Sequence, residues 1–235
     1  MFFIIDTRQS IEYLIIIQQK YLIMDFIKLL STFEGQPITH QILTSILHQY
    51  KRPNDKIKSL KEKGIIKSVK RGIYIPGENT NMQIPESSLI ANHIYGPSYI
   101  SMETALSHYN LIPERVYAVT SMTMKPSKDF RTSIGLYSYS YLPLPYYAFG
   151  TKNVILQENQ RVIMASPEKA LADKIGATHG VILRSMNNAR NYVFENLRME
   201  QSDLKDFDTK QMRSWLSDAP KKESLEIVIK MIEKL

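Results

Sequence analysis

The chain of 235 residues contains no cysteine, which excludes disulfides, thiolate metal sites and thiol nucleophiles and fits a reducing, cytoplasmic compartment. Glycine is sparse, with nine residues, and none of them builds a P-loop, a dinucleotide fingerprint or a nucleophile elbow; a zincin signature is missing as well. The five histidines, His40, His48, His93, His108 and His179, lie far apart and none stands at a metal-ligand spacing with a carboxylate. No cofactor, no metal and no catalytic residue are therefore expected. Long apolar runs are also lacking. A stretch such as Tyr13–Ile17 falls far short of the roughly 20 residues that a membrane helix needs. The N-terminal "MFFIIDTRQSIEYLIIIQQKYLIM" has neither a basic leading region nor a small-residue cleavage site, so neither a signal peptide nor a membrane partner is expected.

What the chain does have is 43% apolar residues, enough to fill real cores, and an uneven charge distribution. Between Lys51 and Arg71 stand nine Lys/Arg residues (Lys51, Arg52, Lys56, Lys58, Lys61, Lys63, Lys67, Lys70 and Arg71) against Asp55 and Glu62. That local +7 equals the net charge of the whole chain, and the other 214 residues hold 21 charges of each sign. The basic character belongs to one patch, and a concentrated patch calls for a polyanionic partner. A lysine-rich helix alone reads more simply as a solvated face; the addition of a basic hairpin tip tips the reading to nucleic acid.

The order of elements agrees. Asp6 or Thr7 can cap a helix within residues 1–23, whose Ile11, Leu14, Ile15, Tyr21 and Leu22 would pack on the domain or on a second subunit, while Met24 offers an alternative start. Helical spacing follows from Met24 to Phe33, then a helix capped by Thr39, then a third from Pro53 to about Lys63, stopped by Gly64. Ile65–Val69 and Ile73–Ile75 around a "KRG" turn read as a hairpin. Three helices and a hairpin within residues 24–78 are the order of a winged helix-turn-helix, whose third helix and wing face a DNA duplex. Asn54, Lys58 and Ser59 lie where base edges are usually read. Lys56, Lys61, Lys63, Lys67, Lys70 and Arg71 are placed for phosphate contacts, and Lys51 and Arg52 belong to the same DNA-binding patch.

"PGENTNMQIPESS" opens the linker region, assigned to 79–92, and 93–235 forms a second domain of α+β type. A helix is expected near Ser101–Asn110, strands at "VYAVTSM", "IGLYSYSYL", "NVILQ" and "RVIMAS", and helices from Ser166 to the end. Ser101 and Ser166 are expected as caps. Strict alternation in "YSYSY" puts Tyr137, Tyr139 and Tyr141 on one face, read as a half-buried sheet face or an oligomer contact. Glu103 with His108, and Glu168 with Asp173, are explained by ion pairs and caps, and the chain is not expected to be an enzyme.

Three segments, "GPSYISMETALSHYNLIPERVYAVTSMT", "FRTSIGLYSY" and "RVIMASPEKALADKI", preceded by "RGIYIPG", resemble the AbiEi family of antitoxins from type IV toxin-antitoxin and abortive-infection systems. The resemblance covers about residues 24–180. It implies a transcriptional autorepressor that binds inverted repeats in double-stranded operator DNA through its winged helix. It further implies a C-terminal domain that counteracts a nucleotidyltransferase-like toxin without a stable complex. Antitoxic function would then fall on the domain holding Ser98, Tyr99, Ser101, Glu103, Pro167, Glu168, Lys169, Asp173 and Lys174. A monomer or weak dimer is expected, with dimerisation on DNA left open. The alternatives are an enzyme acting on nucleic acid through second-domain carboxylates, and a protein-binding adaptor.

Overall fold

The computed structural model describes Tyr13, Ile17 and residues 23–157 and 160–235; the expected helix start at Asp6 or Thr7 lies outside these. The chain is α+β and separates into two compact units, Met1–Pro85 and Glu86–Leu235.

In the first unit, helix α1 covers residues 23–30 and tightens into a 3-10 turn at Ser31–Phe33. Strand β1 (Ile38–Thr39), α2 (His40–Ile46), α3 (Pro53–Glu62), β2 (Ile66–Lys70) and β3 (Ile73–Pro76) follow. The sheet is antiparallel, in the order β1-β3-β2. Local chemistry sets the boundaries. The Thr39 hydroxyl accepts from the Ile42 amide at 3.3 Å and starts α2; Pro53 occupies the first turn of α3, where no donor is missed. Gly64 then ends α3 in the left-handed region at φ +64°, where a side chain would strain the backbone. Phe26, Leu30, Leu43, Leu47, Ile57, Leu60 and Ile66 pool their apolar faces into one core.

The second unit is built on a mixed six-stranded sheet: β4 (Ser98–Ile100), β5 (Ala118–Thr123), β6 (Lys128–Thr132), β7 (Gly135–Tyr141), β8 (Thr151–Gln157) and β9 (Gln160–Ala165). Their order is β6-β7-β5-β4-β9-β8. β4 pairs with β9 and β5 with β7 in parallel, and the remaining neighbours are antiparallel. The helices are α4 (Ser87–Ile94), α5 (Met102–His108), α6 (Pro167–Ala177), α7 (Met186–Arg190, running into a π-helical turn at Asn191–Asn196), α8 (Gln201–Leu204), α9 (Thr209–Trp215) and α10 (Lys222–Ile232). Among the described residues, no helix is long and apolar enough to cross a membrane.

The structure corrects three expectations in the second unit. The linker is shorter than 79–92, because Leu89, Ile90, Ala91 and Ile94 give α4 a buried face that the polar residues before it concealed. Tyr137 and Tyr139 are buried, the latter donating its hydroxyl to the Ala91 carbonyl at 2.6 Å. Tyr141 of the same alternation is 51% exposed, since it lies beyond the end of β6, whose Lys128 sits opposite Tyr139. Ser101 precedes α5 without capping it, because its hydroxyl is drawn to Asp173.

Candidate functional site

In the first unit, Lys51, Arg52, Asn54, Lys58, Lys61, Lys63, Lys67 and Arg71 are all exposed, while Lys56, Ser59 and Lys70 are half-buried. Only Ile57 and Leu60 of α3 are buried, so at about 100° per residue the helix presents most of its circumference to water. Lys56 extends over the Tyr50 ring, its Nζ 5.0 Å from the centroid. The hairpin tip is tied to the helices: the His40 amide at the start of α2 donates to the Gly72 carbonyl at 2.8 Å. Gly72, at φ +86°, makes the turn that leaves Arg71 outside. The end of β3 packs closely on the turn between α3 and β2, because Gly77 lies against Gly64 and a Cβ there would stand 2.1 Å from the Gly64 carbonyl oxygen.

Sequence counting missed where the two acids go. Around the helix, Asp55 and Glu62 fall opposite the buried Ile57 and Leu60, in the middle of the outward face, with Lys58 and Lys61 to one side and Lys56 and Lys63 to the other. Asp55 is partly neutralised by Arg52 at 3.8 Å. The cations therefore form two rows rather than a single stripe, and the 3.6-residue period of the two acids was the signal for it.

In the second unit, the motif residues divide by burial. Tyr99, Ser101, Lys169 and Asp173 are sealed from solvent, Ser98 and Glu168 are buried, and Pro167, Glu103 and Lys174 are half-buried. Lys174 and Glu103 form an ion pair between α6 and α5. The sealed residues form one network. Asp173 Oδ2 accepts from Tyr99 Oη at 2.9 Å and Ser101 Oγ at 2.7 Å. Its Oδ1 lies 2.9 Å from Lys169 Nζ, one turn earlier on α6. That ammonium donates to the Tyr146 carbonyl at 3.0 Å and sits 3.2 Å from the centroid of the Tyr146 ring. Tyr146 was not anticipated; a lysine and an aspartate four apart within the apolar "KALADKI" were the available hint that a buried pair needs partners.

Burial pushes the Asp173 carboxyl above its usual range, opposed by Lys169 and by the hydroxyls of Ser101 and Tyr99. Burial likewise lowers Lys169, opposed by Asp173, and holds the Tyr99 phenol well above its ordinary value, with the Asp173 charge adding to the effect. The network joins α6 to β4 and to the 3-10 turn Tyr146–Ala148. The carboxylates of the enzyme reading are placed accordingly: Asp173 is taken up in this network, and Glu168 is buried with Oε1 accepting from the Asp208 amide at 3.3 Å. No group of three or more metal-binding side chains occurs among the described residues. The second unit also carries an open cleft of about 520 Å³ lined by Asn110, Glu114, Arg115, Arg198, Glu200 and Asp203 among others, which contains none of the motif residues.

No family model and no curated protein matches the chain. Among solved structures, it is similar to the crystal structure of the RV2827C protein from Mycobacterium tuberculosis. The TM-score is 0.58 at 12% identity, over 88% of this chain and 75% of the other. The likeness is one of fold.

Proposed function

We propose that the protein is a DNA-binding antitoxin of the AbiEi type that represses its own operon and counteracts a nucleotidyltransferase-like toxin. The observation that carries the DNA-binding part is the concentration of exposed cations on α3 and the β2–β3 hairpin, in a chain otherwise balanced in charge. In this reading the first unit is a winged helix. α3 enters the major groove, Asn54, Lys58 and Ser59 approach base edges, and Lys61, Lys63, Lys67 and Arg71 take phosphates. The antitoxic part rests on the resemblance of the second unit's segments, with the buried Lys169–Asp173 network as scaffold for the surface that acts.

The test is titration onto duplex DNA from upstream of the protein's own gene, and onto a scrambled duplex, at several salt concentrations. Neutralising roughly four to six phosphates gives a slope of log K against log salt of about −4 to −5 per monomer. Preference for the native duplex by roughly 10³ or more is the expected result. Weak and equal binding to both duplexes would end the repressor reading. For the antitoxic part, co-expression with the neighbouring toxin is expected to restore growth, and continued growth arrest despite soluble protein would remove it.

A further inference from the structure

The two edges of the six-stranded sheet are finished differently. One edge, β6, carries Lys128, Asp129 and Arg131, all exposed, and charge of this kind is how an edge strand is kept from pairing with another chain. The other edge, β8, is seven residues long and reads Thr-Lys-Asn-Val-Ile-Leu-Gln, with Lys152 its only charge. Ile155 is 60% exposed, and Ile163 on the neighbouring β9 is 47% exposed. Asn153 pairs with Ile163 and Ile155 with Arg161, so both isoleucines lie on the same face of the hairpin.

The register fixes which backbone groups of β8 are open. The Ser166 amide donates to the Gly150 carbonyl at 2.7 Å, and this pair continues the β8–β9 register. In an antiparallel ladder, bonded and non-bonded pairs alternate. Residues 152 and 154 therefore bond to β9, and Thr151, Asn153 and Ile155 direct their N–H and C=O groups away from it, toward the open edge.

From this edge we propose that β8 is a self-pairing surface, joining antiparallel to β8 of a second copy of this chain to make a continuous twelve-stranded sheet. The strand is complementary to itself. With Val154 on the two-fold axis, Asn153 of each copy exchanges backbone bonds with Ile155 of the other and Lys152 faces Leu156, and the register shift between Ile155 and Gln157 ends the pairing there. No like charges meet, and Lys152 gains an apolar neighbour for its stem. Each Ile155 is placed one strand away from Ile163 of the other copy across Asn153, which extends the apolar strip over the seam. An isologous contact of this kind closes as a dimer and does not propagate. The contact requires no DNA and stands or falls separately from the repressor reading.

Sedimentation equilibrium of the full-length protein without DNA tests it, over roughly 1–100 µM. The wild type is expected to shift with concentration from 27.2 kDa to twice that mass. Asn153→Pro removes an edge-directed donor without removing a β8–β9 bond, and Ile155→Lys places a charge at the seam. Each is expected to hold the protein at the single-chain mass while circular dichroism and the thermal midpoint stay near the wild type. A wild type that remains at 27.2 kDa throughout, or an Ile155→Lys variant that is folded and still dimeric, overturns the proposal.

Discussion

Lys58 and Lys169 stand in helices of ten and eleven residues, each opened by proline and each with an acid in its first turn. One side chain is in water and the other is entirely out of it. The helices share these start signals and differ in the side-chain cap, which only α6 has, from Ser166; the difference in burial lies in what flanks the lysines. α3 buries only Ile57 and Leu60, whereas α6 buries Ala170, Leu171, Ala172 and Ile175 around Lys169, which leaves that ammonium no solvated exit. A lysine reports a binding surface only when the periodicity around it leaves a face open. Enclosed by apolar neighbours, it becomes a structural ion and must be matched by a carboxylate and by aligned dipoles.

The sharpest way to break this comparison is to remove the charge in each place. Lys169→Met strands a buried carboxylate, and the expected loss is about 3–5 kcal/mol, read as a fall in the urea midpoint. The variant also acquires a pH dependence of known sign. Lys169 is the strongest influence holding the Asp173 carboxyl down against burial, so without it the folded-state value rises further. The folded state then keeps its proton while the unfolded carboxyl, near about 3.9, gives it up. Relative stability is highest at low pH and falls as pH rises from that value through the folded one. The variant should therefore lie closer to the wild type at pH 5 than at pH 8. Adding Asp173→Asn should recover part of the loss at pH 8. A flat difference across pH would mean that Asp173 does not carry the charge.

Lys58→Ala with Arg71→Ala is the matching change in the first unit. Both side chains are exposed, so the thermal midpoint should stay within the small range of surface substitutions. On the proposed DNA-binding reading, operator affinity should drop on the order of 10- to 100-fold at moderate salt, with the salt slope shallower by about 1 for the phosphate that Arg71 no longer takes. Unchanged affinity at fixed salt would show that these cations are solvated bystanders.

These two outcomes track how much the sequence discloses. The helices and hairpin of the first unit were legible because their signals are local, with Thr39 capping, Pro53 starting, Gly64 stopping and Gly72 turning, whereas β1, two residues at Ile38–Thr39, was not. Most strands of the second unit were legible for the same reason. β4 and β6 were not, since three residues in one and "KDFRT" in the other carry no alternation to read. The network around Asp173 was hidden by distance along the chain. Tyr99 and Ser101 reach it from more than 70 residues away, and Tyr146 from a turn with no pattern of its own. Contacts of that range come from sheet topology, and one strand's pattern does not encode which strand lies beside it.

The smallest expected effect separates folding from binding within the first unit. The Thr39 hydroxyl caps α2 at the Ile42 amide, and Thr39 stands opposite Ile73 of the hairpin, outside the cation rows. Thr39→Ala removes one cap, a loss of about 1 kcal/mol, and for a domain of this size a fall of roughly 4–8 °C in the midpoint. Thr39→Ser keeps the acceptor and should recover most of it. Well below the midpoint, the alanine variant should bind operator DNA with the wild-type salt slope, because no phosphate contact is lost. A shallower slope for Thr39→Ala would mean that loosening the start of α2 displaces the hairpin tip, which the His40 amide ties to α2 through the Gly72 carbonyl, and with it the phosphate contact of Arg71.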